Sequence, residues 1–206
     1  NQYDYQITNV DAEYAVKISD KISITPGLSY QYVKFDDTDY RVDDDNTSAG
    51  FLNGSPSLNT LAGFIRTDIN VTEKWRVLAA LRADKFSAPD DTYLAYEFAS
   101  TYKLNEKNLV RVAVTRSNSG SFIGYNYLNV IVPTPVPGLN VTQTGNTNLN
   151  LFTVNMIEIG YRAQLTKSLQ LDIDVFNQRA ENFTEITAKE FNQMIGVVTA
   201  YQFSNL

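Results

Sequence analysis

The connections between strand-like segments alternate in length along this chain of 206 residues. Eight segments alternate apolar and polar side chains, and this is the period of a β-strand. In an antiparallel meander, successive turns lie at opposite ends of the sheet, so the alternation predicts one short-looped end and one long-looped end. Short gaps lie near residues 19–21, 72–74, 105–108 and 166–168, and longer gaps lie near 36–57, 86–92, 117–152 and 180–194.

Within each segment, apolar side chains share one face and polar side chains share the other. Val110, Val112 and Val114, for example, oppose Arg111 and Thr115. We expect most charges of the polar face to form cross-strand ion pairs, because opposite charges on facing strands attract. These charges belong to Arg66, Arg76, Arg82, Arg111, Arg162, Asp68, Asp84, Glu97, Glu158, Asp172 and Asp174. A ninth strand is predicted from Val197 through Phe203, and one short helical turn is predicted within residues 187–195.

Two architectures fit this alternation. A soluble or surface β-sandwich, acting as an adhesion or binding module, also turns a polar face to water. However, many segments run eight or more residues, longer than the common strand of about 5–6 residues. Outer-membrane barrels combine short periplasmic turns with long extracellular loops. We therefore predict an all-β fold, namely a segment of an antiparallel up-and-down transmembrane β-barrel.

Composition argues against several classes of function. The net charge of −6 disfavours nucleic-acid binding, which requires a basic surface. The chain contains no Cys and no His. It therefore has no disulfide, no thiolate metal site, and neither the commonest general base nor the commonest transition-metal ligand. We expect no catalytic residue, no enzymatic activity and no cofactor.

Several motifs between residues 81 and 179 occur in a fixed order. Residues 81–86 and 105–112 resemble a strand and a turn-plus-strand of TonB-dependent receptor barrels. Gly145-Asn-Thr-Asn-Leu149 is similar to the family's Gly-Asn-Pro-Asn-Leu, and residues 158–162 and 171–179 resemble the two strands that follow. Of the family's loop opening Arg-Ala-Phe-Arg-Ala-Pro, only the arginine is retained, as Arg116.

The resemblance implies that residues 1–206 are one partial β-barrel domain, incomplete at both ends. Its eight or nine strands would belong to a barrel of about 22 strands with a plugged lumen. The implied function is energised import of a scarce ligand, such as an iron–siderophore, a cobalamin or a glycan, across the bacterial outer membrane. A passive porin is the weaker alternative.

The same resemblance implies a set of partners. These are outer-membrane lipid, the protein's own plug domain, a TonB-type energy-coupling protein and a small ligand such as a ferric siderophore. A surface lipoprotein is a further candidate partner. The charges of the polar face could also grip the plug or line an uptake path.

The loop at residues 117–150 holds the candidate ligand-binding residues. Long loops on a rigid scaffold usually carry binding functions, and aromatic rings stack on planar ligand groups. Arg116, at the base of the loop, is expected to attract an anionic ligand. The aromatic candidates are Phe122, Tyr125 and Tyr127, and packing of these rings within the loop is the alternative.

A second loop is strongly acidic. Its six aspartates are Asp36, Asp37, Asp39, Asp43, Asp44 and Asp45. Calcium takes six to eight oxygen ligands, so a weak calcium site is conceivable here. The central glycine of an EF-hand loop is missing, and we therefore expect a solvated, self-repelling loop without a metal.

Overall fold

The computed structural model describes residues 3–37, 51–52 and 55–206. These residues form thirteen β-strands and one short helix, which confirms the all-β prediction. The elements are β1 (Asp4–Glu13), β2 (Val16–Ser19), β3 (Ile22–Asp36), β4 (Ser57–Asn70), β5 (Trp75–Phe86), β6 (Thr92–Asn105), β7 (Asn108–Asn118), α1 (Ile123–Tyr127), β8 (Asn129–Pro133), β9 (Asn140–Thr144), β10 (Thr153–Gln164), β11 (Gln170–Glu181), β12 (Thr184–Asn192) and β13 (Val197–Asn205). None of the described helical residues forms a segment long and apolar enough to cross a membrane.

The main sheet is an antiparallel meander in the order β1-β3-β4-β5-β6-β7-β10-β11, with β2 also paired to β3. Its nine strands agree with the eight or nine that the sequence predicts. At one end, tight turns join β2 to β3 and β6 to β7. At the other end, β7 is joined to β10 by residues 119–152. The predicted asymmetry between a short-looped end and a long-looped end is therefore present.

Strands β1 and β2 follow one another along the edge of β3. The last pair of β1 is Glu13 with Gly27, and the first pair of β2 is Val16 with Ile24. Pro26 lies between these pairs and has no N–H to donate to the ladder. The carbonyl of Pro26 still accepts a 3.0 Å hydrogen bond from the Tyr14 amide. The proline accounts for the break in a segment that otherwise reads as one strand.

Strand register confirms the two faces predicted from alternation. Val112 pairs with Ser100 and Ile159, whereas Arg111 pairs with Thr101 and Gly160. Directly paired residues point to the same side of a sheet, so an apolar face and a polar face run across all the strands. Large side chains exposed on the apolar face include Val10, Leu28, Tyr30, Leu61, Ile65, Leu81, Leu94, Phe98, Ile157, Ile159, Ile173 and Val175. So extensive an exposed apolar surface is typical of contact with another apolar phase.

The long connections build a second, four-stranded sheet, which we call the loop sheet. Its order is β12-β13-β9-β8, and β13 runs parallel to β9. The strand predicted from Val197 exists as β13, but it pairs in the loop sheet and not in the main sheet. The helical turn predicted within residues 187–195 is limited to the end of that range, where the Gly196 amide donates to the Asn192 carbonyl at 2.9 Å, because β12 continues to Asn192. Cross-strand partners such as Phe203 for Ile186 stabilise the strand, whereas an isolated helix this short is marginal in water.

The connection between β5 and β6 is shorter than the sequence predicts. It spans only residues 87–91 and is closed by a 3.0 Å hydrogen bond from the Phe86 amide to the Asp91 carbonyl. Both flanking strands extend further toward the loops than their alternating patterns indicate. The expectation of a longer gap at 86–92 is therefore wrong, and residues 119–152 dominate this part of the long-looped end.

Candidate functional site

Ion pairs cover much of the polar face of the main sheet. Arg111 on β7 contacts Glu158 on β10 at 2.6 Å and Asp174 on β11 at 2.8 Å. The other pairs are Arg162 with Asp172 at 2.7 Å, Arg82 with Asp84 at 2.8 Å, and Arg76 with Asp68. Seven of the eleven charges named from the sequence therefore form the predicted cross-strand ion pairs, whereas Arg82 and Asp84 pair with each other within β5.

A glycine makes the three-strand ion-pair cluster possible. Gly160 lies between Arg111 and Asp174 in the register of β7, β10 and β11. A Cβ atom at position 160 would lie 2.4 Å from the Asp174 carboxylate and 3.2 Å from Nε of Arg111. Only glycine leaves room for the guanidinium to cross the middle strand. The glycine of the motif Glu158-Ile-Gly-Tyr-Arg162 is therefore required by side-chain packing.

Arg66 and Glu97 are the two predicted polar-face charges without an ion pair in the described part of the chain. Both pair in register with Ala80, which lies between them. The small side chains of Ala80 and Ala95 leave a recess of about 390 Å³, lined by Arg66, Arg82 and Glu97 among others. This part of the polar face therefore retains unneutralised charge.

Apolar side chains fix the loops onto the long-looped end of the main sheet. Ile123 of α1 packs with Leu52, Leu58 and Ala88 in a buried cluster. Leu58 lies on the polar face of β4, in register with Val33. Phe35 and Tyr127 pack against the same cluster. The helix is thus held on the polar side of the sheet, above the row of ion pairs.

The Gly-Asn motif at 145–149 joins α1 to the loop sheet. A Cβ atom on Gly145 would lie 2.4 Å from the backbone of Asn126, so the residue must be glycine for the two segments to approach. The Gly145 amide donates to the Leu128 carbonyl at 2.6 Å, and the Asn146 amide donates to Tyr125 at 2.8 Å. The Asn146 side chain donates to the Phe203 carbonyl on β13 at 3.1 Å. The motif is therefore a structural anchor of the long loop.

Aromatic rings surround a cavity of about 410 Å³ between α1, the Gly-Asn segment and the start of β12. The rings of Phe122 and Tyr125 are 5.0 Å apart in an edge-to-face arrangement, as are those of Phe152 and Phe183. Phe122 is 56% exposed and Tyr125 is 42% exposed. This aromatic cavity has accessible ring faces and edges that a planar ligand could contact.

A polar groove of about 540 Å³ lies next to the aromatic cavity. The two share Ser119 and Gly120 in their linings. Asn9, Gln31 and Arg82 line the groove on the polar face, and the Gln31 amide donates to Asn9 at 2.9 Å. Arg82 also lines the recess beside Arg66. A continuous surface therefore leads from the loops onto the polar face.

The predicted binding residues separate into three places. Phe122 and Tyr125 line the aromatic cavity, whereas Tyr127 is outside its lining and packs on the buried cluster. Arg116 pairs in register with Tyr96 and Asn155, which puts it on the apolar face, and it also borders the recess beside Arg66. The alternation of β7 carries this information, because Arg116 has the parity of Val112 and Val114. A role for Arg116 in ligand binding stays a prediction.

Phe152, Phe183 and Arg82 are candidate site residues that the loop-based reasoning missed. Phe152 directly follows the Gly-Asn segment, and Phe183 follows Asn182, whose φ of +62° redirects the chain between β11 and β12. Arg82 lies on strand β5, and the small side chain of its cross-strand partner Ala95 leaves Arg82 accessible in the polar groove. Without the structure, the only sequence feature that could have indicated these three residues is a nearby glycine, asparagine or alanine.

The acidic loop is described only at its first two aspartates. Asp36 lies 3.6 Å from Lys34, and Asp37 is buried and accepts a 2.8 Å hydrogen bond from the Leu52 amide. Asp39, Asp43, Asp44 and Asp45 lie outside the described residues. Within the described ranges, no three acidic side chains converge as metal ligands. The expected solvated loop without a metal, and its weak calcium alternative, both stay untested for these four aspartates.

Solved receptor structures share this fold. The siderophore receptor PirA from Pseudomonas aeruginosa is 14% identical, with a TM-score of 0.72 over 99% of this chain and 37% of PirA. A ferric enterobactin receptor (PfeA) variant from the same organism, in complex with enterobactin, is 15% identical, with a TM-score of 0.75 over 98% of this chain and 31% of PfeA. The FrpB iron transporter from Neisseria meningitidis is 11% identical, with a TM-score of 0.63 over 97% of this chain and 32% of FrpB.

At these identities the structural likeness concerns the fold. The chain spans about a third of the length of the receptors that it matches. The sequence has no significant match among curated proteins. Residues 1–205, in contrast, match the family described as TonB dependent receptor-like, beta-barrel. The chain therefore belongs to the TonB-dependent receptor β-barrel family, as its motifs predict.

Proposed function

We propose that this chain is part of an outer-membrane receptor that imports a ferric siderophore by TonB-energised transport. The observation that carries the proposal is the continuous surface from the aromatic cavity, through Ser119 and Gly120, to the polar groove. The family and its structural neighbours are transport receptors and not enzymes. Two of those neighbours are named as siderophore or ferric enterobactin receptors.

The chemistry of the surface suits a planar, anionic ligand. Phe122, Tyr125 and Phe183 provide aromatic contacts at the loop end. Arg82 is 39% exposed and lies on the path from the groove to the recess. Its ion pair with Asp84 uses Nε and Nη2, which leaves Nη1 for a second acceptor. Arg66 adds a cation without an ion pair in the described residues.

A transport experiment tests this function. Deletion of the full gene from its host should abolish growth on one ferric siderophore as the sole iron source. A plasmid copy should restore growth only when the energy-coupling protein is also present. Cobalamin-dependent and glycan-dependent growth of the same strains tests the other two ligand classes. Unchanged growth with every ferric siderophore, combined with loss of growth on cobalamin or a glycan, would replace the proposed ligand.

The polarity of the sheet gives a separate prediction about orientation. We expect the tight turns at Asp20, Glu73, Lys107 and Lys167 to be periplasmic, and residues 120–140 to be extracellular. Residues 40–50, which lie outside the described part of the chain, are expected on the same outer side. The loop sheet would then project from the cell surface.

Single cysteines measure this orientation, because residues 1–206 contain none. Val136 in the β8–β9 hairpin and Met194 at the β12–β13 turn are 55% and 94% exposed. Cysteines at these two positions should react with a membrane-impermeant maleimide on intact cells. Cysteines at Asp20 and Lys107 should react only after the outer membrane is permeabilised. The reverse labelling pattern would invert the topology.

A further inference from the structure

Basic residues on the apolar face of the main sheet occur only at its long-looped end, within the described strands. They are Lys34 on β3, Lys85 on β5, Arg116 on β7 and Arg179 on β11. Toward the tight turns, the same face carries Trp75, Tyr102 and Tyr161 instead. Within the described strands, cations at only one edge of the apolar face therefore distinguish the two ends of the sheet.

The four cations differ in their partners. Lys34 lies 3.6 Å from Asp36, Lys85 lies 2.6 Å from Asp90, and Arg179 lies 2.8 Å from Glu181. The hydrogen bond from Lys85 lowers the pKa of Asp90, so this carboxylate stays ionised and remains paired at neutral pH. Arg116, in contrast, has no ion pair with any residue that the structure describes. It is the one cation of this edge that no described carboxylate neutralises.

Arg116 belongs to a row of polar side chains that crosses three neighbouring strands. It pairs with Asn155 on β10, which in turn pairs with Arg179 on β11. Adjacent strands are about 4.8 Å apart, so the Cα atoms of the two arginines are about 10 Å apart. Arg179 contacts Glu181 through Nε, which leaves its terminal nitrogens free to donate elsewhere. Two guanidinium groups and one amide thus point outward from the same row.

Apolar residues border this row on the side toward the middle of the sheet. Val114 is the next residue on this face of β7 and Ile157 is the next on β10, whereas on β11 Asn177 lies between Arg179 and Val175. The free-energy cost of a lipid-facing charge falls from the middle of the bilayer toward the headgroup region. Cations at the edge of an apolar surface are therefore expected at the level of the lipid headgroups. Acyl chains can cover the valines and isoleucine while a headgroup meets the arginines. A free inorganic ion would use only the polar part of this surface.

We propose that Arg116, Asn155 and Arg179 bind a phosphate group of an anionic lipid in the outer leaflet. The proposal rests on the membrane orientation given above, with the long loops outside the cell. A guanidinium suits this role because its planar N–H donors match phosphate oxygens in pairs. The lipid would hold the wall of the barrel below the loop at 119–152, which begins two residues after Ser117.

Lipid retention by the purified full-length receptor tests the proposal. The wild type and variants are placed in phosphatidylcholine nanodiscs containing diphosphorylated lipid A or its fully dephosphorylated form, and bound lipid is counted by native mass spectrometry. Arg116→Gln should lower retention of the phosphorylated lipid about fivefold, which corresponds to about 1 kcal/mol. Arg116→Lys should retain part of the affinity, because a point charge still attracts phosphate.

Arg66→Gln is the matched control, because Arg66 is also without an ion pair in the described residues but lies on the polar face. It should leave lipid retention unchanged. Inorganic phosphate at millimolar concentration is added as a competitor. If it displaces phosphorylated and dephosphorylated lipid A equally, the site binds a free anion and not a lipid phosphate, and the proposal is overturned. Equal retention by Arg116→Gln and wild type would overturn it as well.

The outcome is separable from that of the transport experiment. Retention of phosphorylated lipid through Arg116 can hold even if no ferric siderophore is imported. Conversely, if Arg116→Gln weakens ligand binding and leaves lipid retention intact, Arg116 contacts the imported ligand and the lipid proposal fails. Electrophoretic migration with and without heating identifies any variant that has not folded. Arg179→Gln is a second variant that removes a positive charge from the same row, and it tests the site independently of Arg116.

Discussion

Val112→Arg and Ile159→Arg are expected to prevent most of the receptor from assembling in the membrane. The two residues are direct cross-strand partners near the middle of β7 and β10, and Ile159 is 54% exposed on the apolar face. An arginine facing lipid at mid-membrane costs about 2–4 kcal/mol. At about 1.4 kcal/mol per decade, the folding equilibrium falls roughly thirty- to several-hundredfold. Folding into bilayers, followed by electrophoretic migration without heating, measures the folded fraction.

Substitutions on the polar face, at the same level of the sheet, should lower the folded fraction less. Arg111→Gln removes two ion pairs and Glu158→Gln removes one. The side chains of Arg111, Glu158 and Asp174 are all partly exposed. Exposed ion pairs contribute only about 0.2–1 kcal/mol each. Val112→Ala controls for simple loss of the valine side chain. Similar folded fractions for Val112→Arg and Arg111→Gln would show that the assigned faces are not the lipid and lumen faces.

Removing the Phe122 and Tyr125 rings together is expected to weaken ligand binding about fivefold to a hundredfold. Each stacked ring contributes about 0.5–1.5 kcal/mol beyond the area that it buries, and the two rings form one edge-to-face pair. The double variant Phe122→Ala, Tyr125→Ala should be titrated with the ferric siderophore that supports growth. Quenching of protein fluorescence by the bound ferric complex reports the dissociation constant.

Two controls separate ligand contact from loop packing. Phe191→Ala removes an aromatic ring that is 59% exposed in the loop sheet but lies outside the lining of the aromatic cavity, and it should leave affinity unchanged. Tyr127→Ala removes a ring that packs on the buried cluster around Ile123, and it should increase proteolysis of the loop. Affinity of the double variant within about twofold of wild type would assign Phe122 and Tyr125 to packing and place recognition elsewhere.

The main sheet was predictable because its information is local. Side chains alternate along a strand whatever its partner is, so the faces of Arg111 and Val112 can be read before any strand is paired. Tight turns at Asp20 and Lys107 then order neighbouring strands into a meander, and register follows. The ion pairs between Arg111, Glu158 and Asp174 are a consequence of these two facts. The same parity puts Arg116 on the apolar face.

The loops and the site depend on contacts between distant segments. Strand β9 meets β13 in parallel, with Gln143 beside Tyr201, and no local pattern selects that partner. Residues 187–192 are in a strand rather than a helical turn for this reason, since β12 gains its hydrogen bonds only when β13 folds back. Gly145 was recognisable as a motif, but its contact with Asn126 appears only when the loop closes.

Local alternation therefore determines the strands and their faces, because a period of two is a property of the backbone, and the ordered motifs between residues 81 and 179 indicate the family. The aromatic cavity is different. Phe122, Phe152 and Phe183 are distributed over more than sixty positions of the sequence, and only loop closure over the polar face brings their rings together. The binding surface exists in the tertiary structure because backbone hydrogen bonds and buried apolar contacts hold three separate loop segments at one end of the sheet.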